Sequence, residues 1–320
     1  MKIVIFDRYK TFDFHHGHMV SHLGKKHEVL YIDELIPQDQ IRILMRKNDL
    51  TWFEFCDDMF REAMRHPKES KVICRLHSFE LFTPVPLNTY WLNCDRLLIV
   101  SKEIETLMQQ VKEKSKIPLS SMDILPNGVD FNLFKWKKKK YGNKIAWIGW
   151  INYKKNPQMI LYLADALKKK GMDYTFHVIG RFQDPRYELY LSDMIKKMNL
   201  SDTIFFEGWV DNKNLPAWFE DKSYNLSTSL FESFGNSIIE SMGSGLIPLI
   251  HDFCGARERF GKDCSFTGVD SFVNLLGQFE KLSNEEKQQI SKKKKKLVEQ
   301  YEINKQLKKL DSIIKSVMEE

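Results

Sequence analysis

A chain of 320 residues, 42 % hydrophobic and 12 % aromatic, has room for one large domain or two ordinary ones and enough apolar side chains for real cores. No apolar run approaches the ~18 to 20 residues a membrane helix needs. The five cysteines (Cys56, Cys74, Cys94, Cys254, Cys264) are odd in number and lack a Cys-x-x-Cys pair. They read as reduced cytosolic thiols, which excludes a disulfide framework and a zinc site. The net charge of +6 comes largely from the lysine runs 137–140 and 292–296. Such runs are usually solvated. A second reading is attraction to an anionic membrane surface, at about 1 kcal/mol per nearby lysine. Nucleic acid is disfavoured, because aromatic interleaving and a binding motif are missing.

In chain order, residues 2–6 form a first strand that Asp7 and Arg8 break promptly, so the opening is not a signal peptide. A loop rich in aromatics and histidines follows, then a helix over 18–25 and a strand over 28–32. The apolar residues Phe53, Phe55, Cys56, Met59, Phe60 and Met64 recur at helical spacing and predict a helix over 50–65. Residues 71–76 and 97–100 are strands, and Ser101 caps the helix after the second. Alternating strands and helices imply a parallel sheet with right-handed crossovers.

Pro126-Asn-Gly128 and the lysines after it mark a junction, beyond which the pattern repeats. Strands are predicted over 144–148, 175–180, 204–208 and 224–229, with helices over 156–170 and 186–199. The tail over 284–318 reads as one or two amphipathic, strongly charged helices. The division is therefore 1–125, 126–283 and a helical tail 284–320, giving an α/β protein of two Rossmann-like domains facing across a cleft.

The most informative stretch is Leu230-Phe-Glu-Ser-Phe-Gly-Asn-Ser-Ile-Ile-Glu240, followed by Ser-Met-Gly-Ser-Gly245 and Leu-Ile-Pro-Leu-Ile250. It reads as strand, tight loop, short helix, glycine stop and second strand. Gly235 lets the backbone approach a ligand closely, and Asn236 or Ser237 is a natural N-cap. Gly243 and Gly245 end the helix. Free amides at the start of a helix, at the carboxyl end of a parallel strand, favour a diphosphate. Glu232 before the helix and Glu240 just inside it suit sugar hydroxyls instead. The implied ligand is a diphosphate carrying sugars.

Glu232 and Glu240 in that setting resemble the Glu-x7-Glu signature of retaining glycosyltransferases of family 4. Gly255-Ala-Arg-Glu258, Ile124-Leu-Pro-Asn-Gly-Val-Asp130 and Ile145-Ala-Trp-Ile-Gly-Trp-Ile-Asn-Tyr-Lys-Lys155 are similar to further segments of that family, in the same order. The resemblance spans about Ile124 to Glu258 and implies the GT-B fold. In that family a terminal helix often crosses back to the first domain. The first domain departs from the pattern, because the loop after strand one holds only Gly17 where a glycine-rich loop is usual. This domain would carry acceptor specificity.

The resemblance assigns roles residue by residue. Lys155 would bind the donor phosphates, next to Gly149. The usual arginine after that glycine is replaced by Trp150, and Arg181, at the next strand end, would take its place. Glu240 would bind the nucleotide ribose; without that resemblance it reads as an acid in the first turn of a helix. Glu232 would contact the transferred sugar, with Phe234, Gly235, Asn236 and Ser237 offering amides around sugar and phosphate. His77, at the end of the 72–76 strand, would face the cleft near the sugar, with Arg75 and Glu80 nearby but unassigned. Retaining members are thought to work by same-face attack, with a donor phosphate oxygen taking the acceptor's proton. Glu232 is therefore not a nucleophile.

His15, His16 and His18 invite a metal reading, but Asp7 and Asp13 complete no standard ligand set; contact with donor or acceptor is the other reading. No Asp-x-Asp metal clamp accompanies the site, so no metal or other cofactor is implied. The expectation is a metal-independent retaining hexosyltransferase, cytoplasmic or peripheral on the inner face of the membrane. It would move a sugar from a nucleotide-diphosphate sugar, UDP first and GDP second, to a glycan or lipid-linked acceptor in surface polysaccharide synthesis. Two rivals stay open: a sugar-nucleotide epimerase on the same fold, and a non-catalytic sugar-nucleotide-binding protein.

Overall fold

The computed structural model describes residues 1–9, 13–119 and 121–320, and the side chains of residues 13–16 lie outside that description. The chain divides into two compact units: Met1–Gly128 with Ile303–Glu320, and Val129–Glu302. Each is built on a six-stranded parallel sheet.

The first unit carries β1 (Lys2–Phe6), β2 (Glu28–Ile32), β3 (Leu50–Phe53), β4 (Lys71–Leu76), β5 (Arg96–Ile99) and β6 (Met122–Ile124) in the order β2-β1-β3-β4-β5-β6. This is a doubly wound sheet whose direction of growth reverses between β1 and β3, and ligands in such sheets bind beyond the carboxyl ends of the strands at that point. The helix predicted over 50–65 is not there. Leu50–Phe53 is a fully buried central strand, paired with β1 and β4, and a short helix, Asp58–Ala63, follows it. A strand covered on both faces has no polar side to alternate with its apolar one. Its residues ran into those of the following helix and imitated one longer helical stripe. Asp57 marks the true start, its side chain accepting from the amides of Met59 and Phe60 at 3.0 and 3.2 Å. The helix Gln38–Lys47 and strand β6 correspond to no predicted element.

The two helices of the tail belong to different units. Asn284–Val298 stays with the second unit, opened by a capping box between Ser283 and Glu286. Ile303–Glu319 lies in the first, where Ile303, Leu307, Leu310, Ile313, Ile314 and Val317 pack with Ile3, Ile5, Leu50, Trp52 and Ile73 of the sheet. Burying each such side chain contributes about 1.5 to 3 kcal/mol, so the carboxyl-terminal helix is part of the first unit's core.

The second unit carries β7 (Lys144–Ile148), β8 (Thr175–Ile179), β9 (Ile204–Phe206), β10 (Tyr224–Ser227), β11 (Ile247–His251) and β12 (Ser265–Phe266), in the order β12-β11-β10-β7-β8-β9. That is the Rossmann order, reversing between β7 and β10. Its core joins Ile145, Trp147, Phe176 and Leu226 of the sheet to Leu163 and Leu167 of helix Met159–Lys169 and to Phe272 and Leu276 of helix Val269–Glu280.

The lysine runs are not uniformly solvated. Lys139 donates to the carbonyls of Phe219 and Lys222 at 2.8 Å, and burial pulls its ammonium down to about 8. Lys294 is buried and donates to the Phe260 carbonyl at 2.8 Å. Lys137, Lys138, Lys292 and Lys293 are exposed. No helix among the described residues is long and apolar enough to cross a membrane.

Candidate active site

The reversal in the second sheet brings the loops after β7 and β10 side by side. Gly149 and Gly180 follow β7 and β8 with φ of +155° and +156°, and the two backbones touch: a Cβ on Gly180 would lie 1.9 Å from the Gly149 carbonyl oxygen. The Lys155 side chain runs over Gly149, where a Cβ would meet its Cε at 3.0 Å. Asn152 caps the short turn Tyr153–Lys155, accepting from the Lys155 amide at 3.1 Å. Two hydrogen bonds tie this turn to the loop after β10: the Leu230 amide donates to the Lys154 carbonyl at 2.9 Å, and Thr228 Oγ1 donates to the Lys155 carbonyl at 2.6 Å. Thr228 in turn accepts from the indole of Trp147 at 2.9 Å.

This bracing presents Lys155 Nζ to the carboxylate of Glu232, with which it pairs directly. Ser229 Oγ donates to the same carboxylate at 2.6 Å, and Lys154 Nζ stands 4.0 Å from its other oxygen. Glu232 is buried. Burial pushes its carboxyl up, but Lys155, Lys154 and Ser229 outweigh that and hold it down at about 2, so it is an anion throughout the physiological range. Burial also draws the Lys154 ammonium below its usual range, against the pull of Glu232.

Helix Asn236–Gly243 begins two residues past the Glu232-Ser-Phe segment, and its N-cap is Gly235 at φ +85°, a conformation that favours glycine. Asn236 and Ser237, read from the sequence as candidate caps, are instead the first two helical residues. Glu240 is not in the first turn, and no acid is. The helix-dipole explanation for Glu240 therefore fails, leaving a buried carboxyl that accepts from Asn212 Nδ2 at 3.3 Å. Burial lifts it to about 7, only partly opposed by Asn212.

Beside Gly149 and Gly180, Trp150 and Trp209 expose their rings with centroids 5.7 Å apart, and the Arg181 guanidinium lies over the Trp209 ring at 4.7 Å. Arg181 is exposed. Its cation–π contact makes it one side of an aromatic shelf.

His77 lies in the first unit. It follows β4 directly, is buried, and its Nε2 lies 3.3 Å from Glu54, which Arg75 and the Trp52 indole also reach, at 3.1 and 2.8 Å. Burial lowers the imidazole below its usual range despite Glu54, so the ring is neutral at pH 7. Phe55 packs against it, tilted by 34° with centroids 4.9 Å apart, and the exposed rings of Tyr9 and Phe79 lean on Phe55 at 4.8 and 5.8 Å. Glu80 is buried and lifted by burial to about 8. The side chains of Asp13, His15 and His16 lie outside the described residues, and no cluster of metal-ligating side chains occurs among the described ones.

The structure thus brings Gly149, Lys155 and Glu232 together, sets Trp150 beside Arg181 and Trp209, and sets Phe234 and Gly235 at the entry to the next helix and Asn236, Ser237 and Glu240 within it. The sequence reading missed Lys154, Thr228, Ser229, Trp209 and Asn212. Only Ser229, three residues before Glu232, had a local signal.

The family model for glycosyl transferases group 1 matches residues 129–309, more than half of the chain. The chain belongs to that family. A curated relative, an uncharacterised 41.2 kDa protein in the cps region of Klebsiella pneumoniae, is 33 % identical over 95 residues. That match covers 28 % of this chain and 26 % of the relative. Among solved structures, the chain is similar to a trehalose-6-phosphate synthase studied with bisubstrate glycomimetics (TM-score 0.81, 11 % identity, 99 % of both chains). It is also similar to sucrose-phosphate synthase from Thermosynechococcus elongatus (0.77, 11 %, 99 % of both). A third is Anabaena HepE in complex with UDP and glucose (0.75, 15 %, 99 % of this chain and 100 % of that one). These likenesses establish the GT-B fold.

Proposed function

We propose that this member of the glycosyl transferases group 1 family is a retaining, metal-independent enzyme of glycosyltransferase family 4. It moves a sugar from a nucleotide-diphosphate sugar, UDP-linked first, to a hydroxyl of a glycan or glycolipid precursor in surface polysaccharide synthesis. The observation that carries the reading is the Lys155–Glu232 pair at the reversal of the second sheet, beside the Gly235-capped helix. A cation, helix-start amides and a permanent carboxylate occupy one strand-end region, where an open α/β sheet binds its ligand.

Lys155 and the amides of 234–237 would stabilise negative charge growing on the leaving diphosphate, usually the largest electrostatic contribution to such a reaction. Glu232, anionic at every working pH, accepts hydroxyl hydrogen bonds from the transferred sugar and is no proton donor. Glu240 grips the ribose diol. The shelf of Trp150, Trp209 and Arg181 has the size and polarisability to stack a nucleobase, which gives Arg181 a role at the base instead of the phosphates. On the acceptor side, neutral His77 with the Tyr9, Phe55 and Phe79 rings offers a hydrogen-bonding group in an aromatic surround. The uridine diphosphate in the HepE structure and the cps-region relative support the donor and the pathway. The exposed lysines favour a peripheral site of action at an anionic membrane, where a lipid-linked acceptor is met.

The test is thermal stabilisation by a panel of nucleotide sugars, with Glu240→Ala and Lys155→Ala alongside, followed by product analysis with candidate acceptors. A donor-specific shift that both variants lose, and a product with the donor's anomeric configuration, are expected. Epimerised donor without acceptor would support the epimerase, and binding without turnover the binding protein. A covalent sugar trapped on Glu232 would overturn the same-face mechanism.

A further inference from the structure

Arg259 stands in the short helix Ala256–Phe260 after β11, is only 6 % exposed, and is aimed at the loop between Glu232 and the Gly235 cap. Its Nη1 donates to two successive carbonyls of that loop, Ser233 at 3.3 Å and Phe234 at 2.7 Å. Lys294, donating to the Phe260 carbonyl at 2.8 Å, anchors the end of the Arg259 helix from helix Asn284–Val298.

In a trans peptide the C=O and N–H point in opposite directions, and no described peptide here is cis. Two consecutive carbonyls gathered onto one guanidinium therefore turn the two partner amides, Phe234 N–H and Gly235 N–H, to the opposite face of the loop. Successive amides on one face, ending in a left-handed residue, form a concave anion-binding nest. Gly235 supplies that left-handed residue at φ +85°. Neither amide has a hydrogen-bond partner among the described residues, although both residues are buried, and an unpaired amide in such a place is costly. The cation behind the two peptides also polarises them, which strengthens their outward-facing donors.

We infer that Arg259 is a positioning residue that aims and polarises the Phe234 and Gly235 amides for the donor's diphosphate. The inference rests on the donor-site reading above and extends it to a residue that touches no substrate itself. It separates two parts of the nucleotide. The amides address the outer phosphate, whereas the base and ribose belong to other groups.

The experiment is calorimetric titration of wild-type protein, Arg259→Met and Arg259→Lys with UDP and with UMP. The backbone amide signals of Phe234 and Gly235 are followed by NMR in the same titrations. Loss of two aimed donors should weaken UDP binding by about 10- to 100-fold in Arg259→Met, with UMP changed less than about threefold. Arg259→Lys keeps the charge but loses the two-carbonyl fork, and should give an intermediate loss, again for UDP alone. If the methionine variant does not fold, the lysine variant decides. UDP should shift both amide protons downfield in the wild type and not in Arg259→Met. Equal losses for UDP and UMP, or amides that ignore UDP in the wild type, would overturn the inference while leaving the donor site standing. Wild-type protein that binds no nucleoside diphosphate would bring down the donor-site reading and Arg259's role with it.

Discussion

Replacing Glu240 by Gln should stabilise the second unit at alkaline pH while weakening donor recognition. Glu240 is 6 % exposed, and its carboxyl sits at about 7 against an ordinary 4.5, with burial the main cause and Asn212 the opposing contact. A carboxyl raised on folding is no burden below the unfolded value, where both states are protonated. Stability is lost as pH climbs from there through about 7, because ionisation is easier in the unfolded chain. At about 1.4 kcal/mol per pH unit, the span from 4.5 to about 7 amounts to about 3 kcal/mol, fully lost above roughly pH 8. Glutamine has nearly the same shape and does not titrate. The variant and wild type should therefore match near pH 4.5 and diverge by about 3 kcal/mol at pH 8.5, less whatever the new amide forfeits by poor pairing. The assay is urea unfolding across that pH range, read by hydrogen-exchange protection of β7 and β10 peptides. A gap that does not change with pH would refute the argument, since Glu240 would then be ionised at no cost. The same logic fixes the pH dependence of binding. A ribose diol donates to the carboxylate form, so donor affinity should rise with pH up to about 7 and level off, and Glu240→Gln should flatten that profile.

Lys155→Ala should cut turnover by orders of magnitude and also destabilise the second unit by about 3 to 5 kcal/mol, because it strands the buried Glu232 carboxylate. Adding Glu232→Gln should restore much of that stability in thermal unfolding and none of the turnover. Gly180→Ala should cost more than about 2 kcal/mol, with turnover lost in proportion to the shift of Lys155, since a Cβ there would lie 1.9 Å from the Gly149 oxygen. Circular-dichroism melting measures it. Trp209→Ala should weaken UDP and UMP about equally, by roughly 5- to 150-fold, because both carry the base and stacking on an aromatic ring is worth ~1 to 3 kcal/mol; a phosphate-dependent loss in calorimetry would contradict the shelf.

What the sequence revealed was what local pattern can reveal. The strands β1, β2, β4 and β7 stand at their predicted bounds because each is a short run of strand formers between turn residues. The helix Asn236–Gly243 was announced by the glycines that bracket it, Gly235 before and Gly245 after. The failures lie where period and burial conflict. Leu50–Phe53 is covered on both faces, so its apolar run imitates a helix. Glu240 passed for a first-turn acid because Asn236 and Ser237 are better cap formers than Gly235, and the left-handed φ of Gly235 cannot be read from propensity. The Lys155–Glu232 pair joins residues 77 positions apart, and only strand order brings the β7 and β10 loops together. A motif supplies the acids, and topology supplies the counter-charge of Glu232.

That counter-charge separates two carboxyls that look equivalent in the motif. Glu232 is held at about 2 by lysines, and Glu240 rises to about 7 without one. Environments that push two acids apart assign them different tasks. On the proposed reading, an arriving diphosphate competes with Glu232 for Lys155. A bare nucleoside diphosphate would leave the Glu232 carboxylate buried with Ser229 and the more distant Lys154 alone. A nucleotide sugar brings hydroxyls that replace the lost partner. The same pair that neutralises Glu232 thus penalises the spent nucleotide relative to the loaded one, and favours departure of the diphosphate once its sugar has gone.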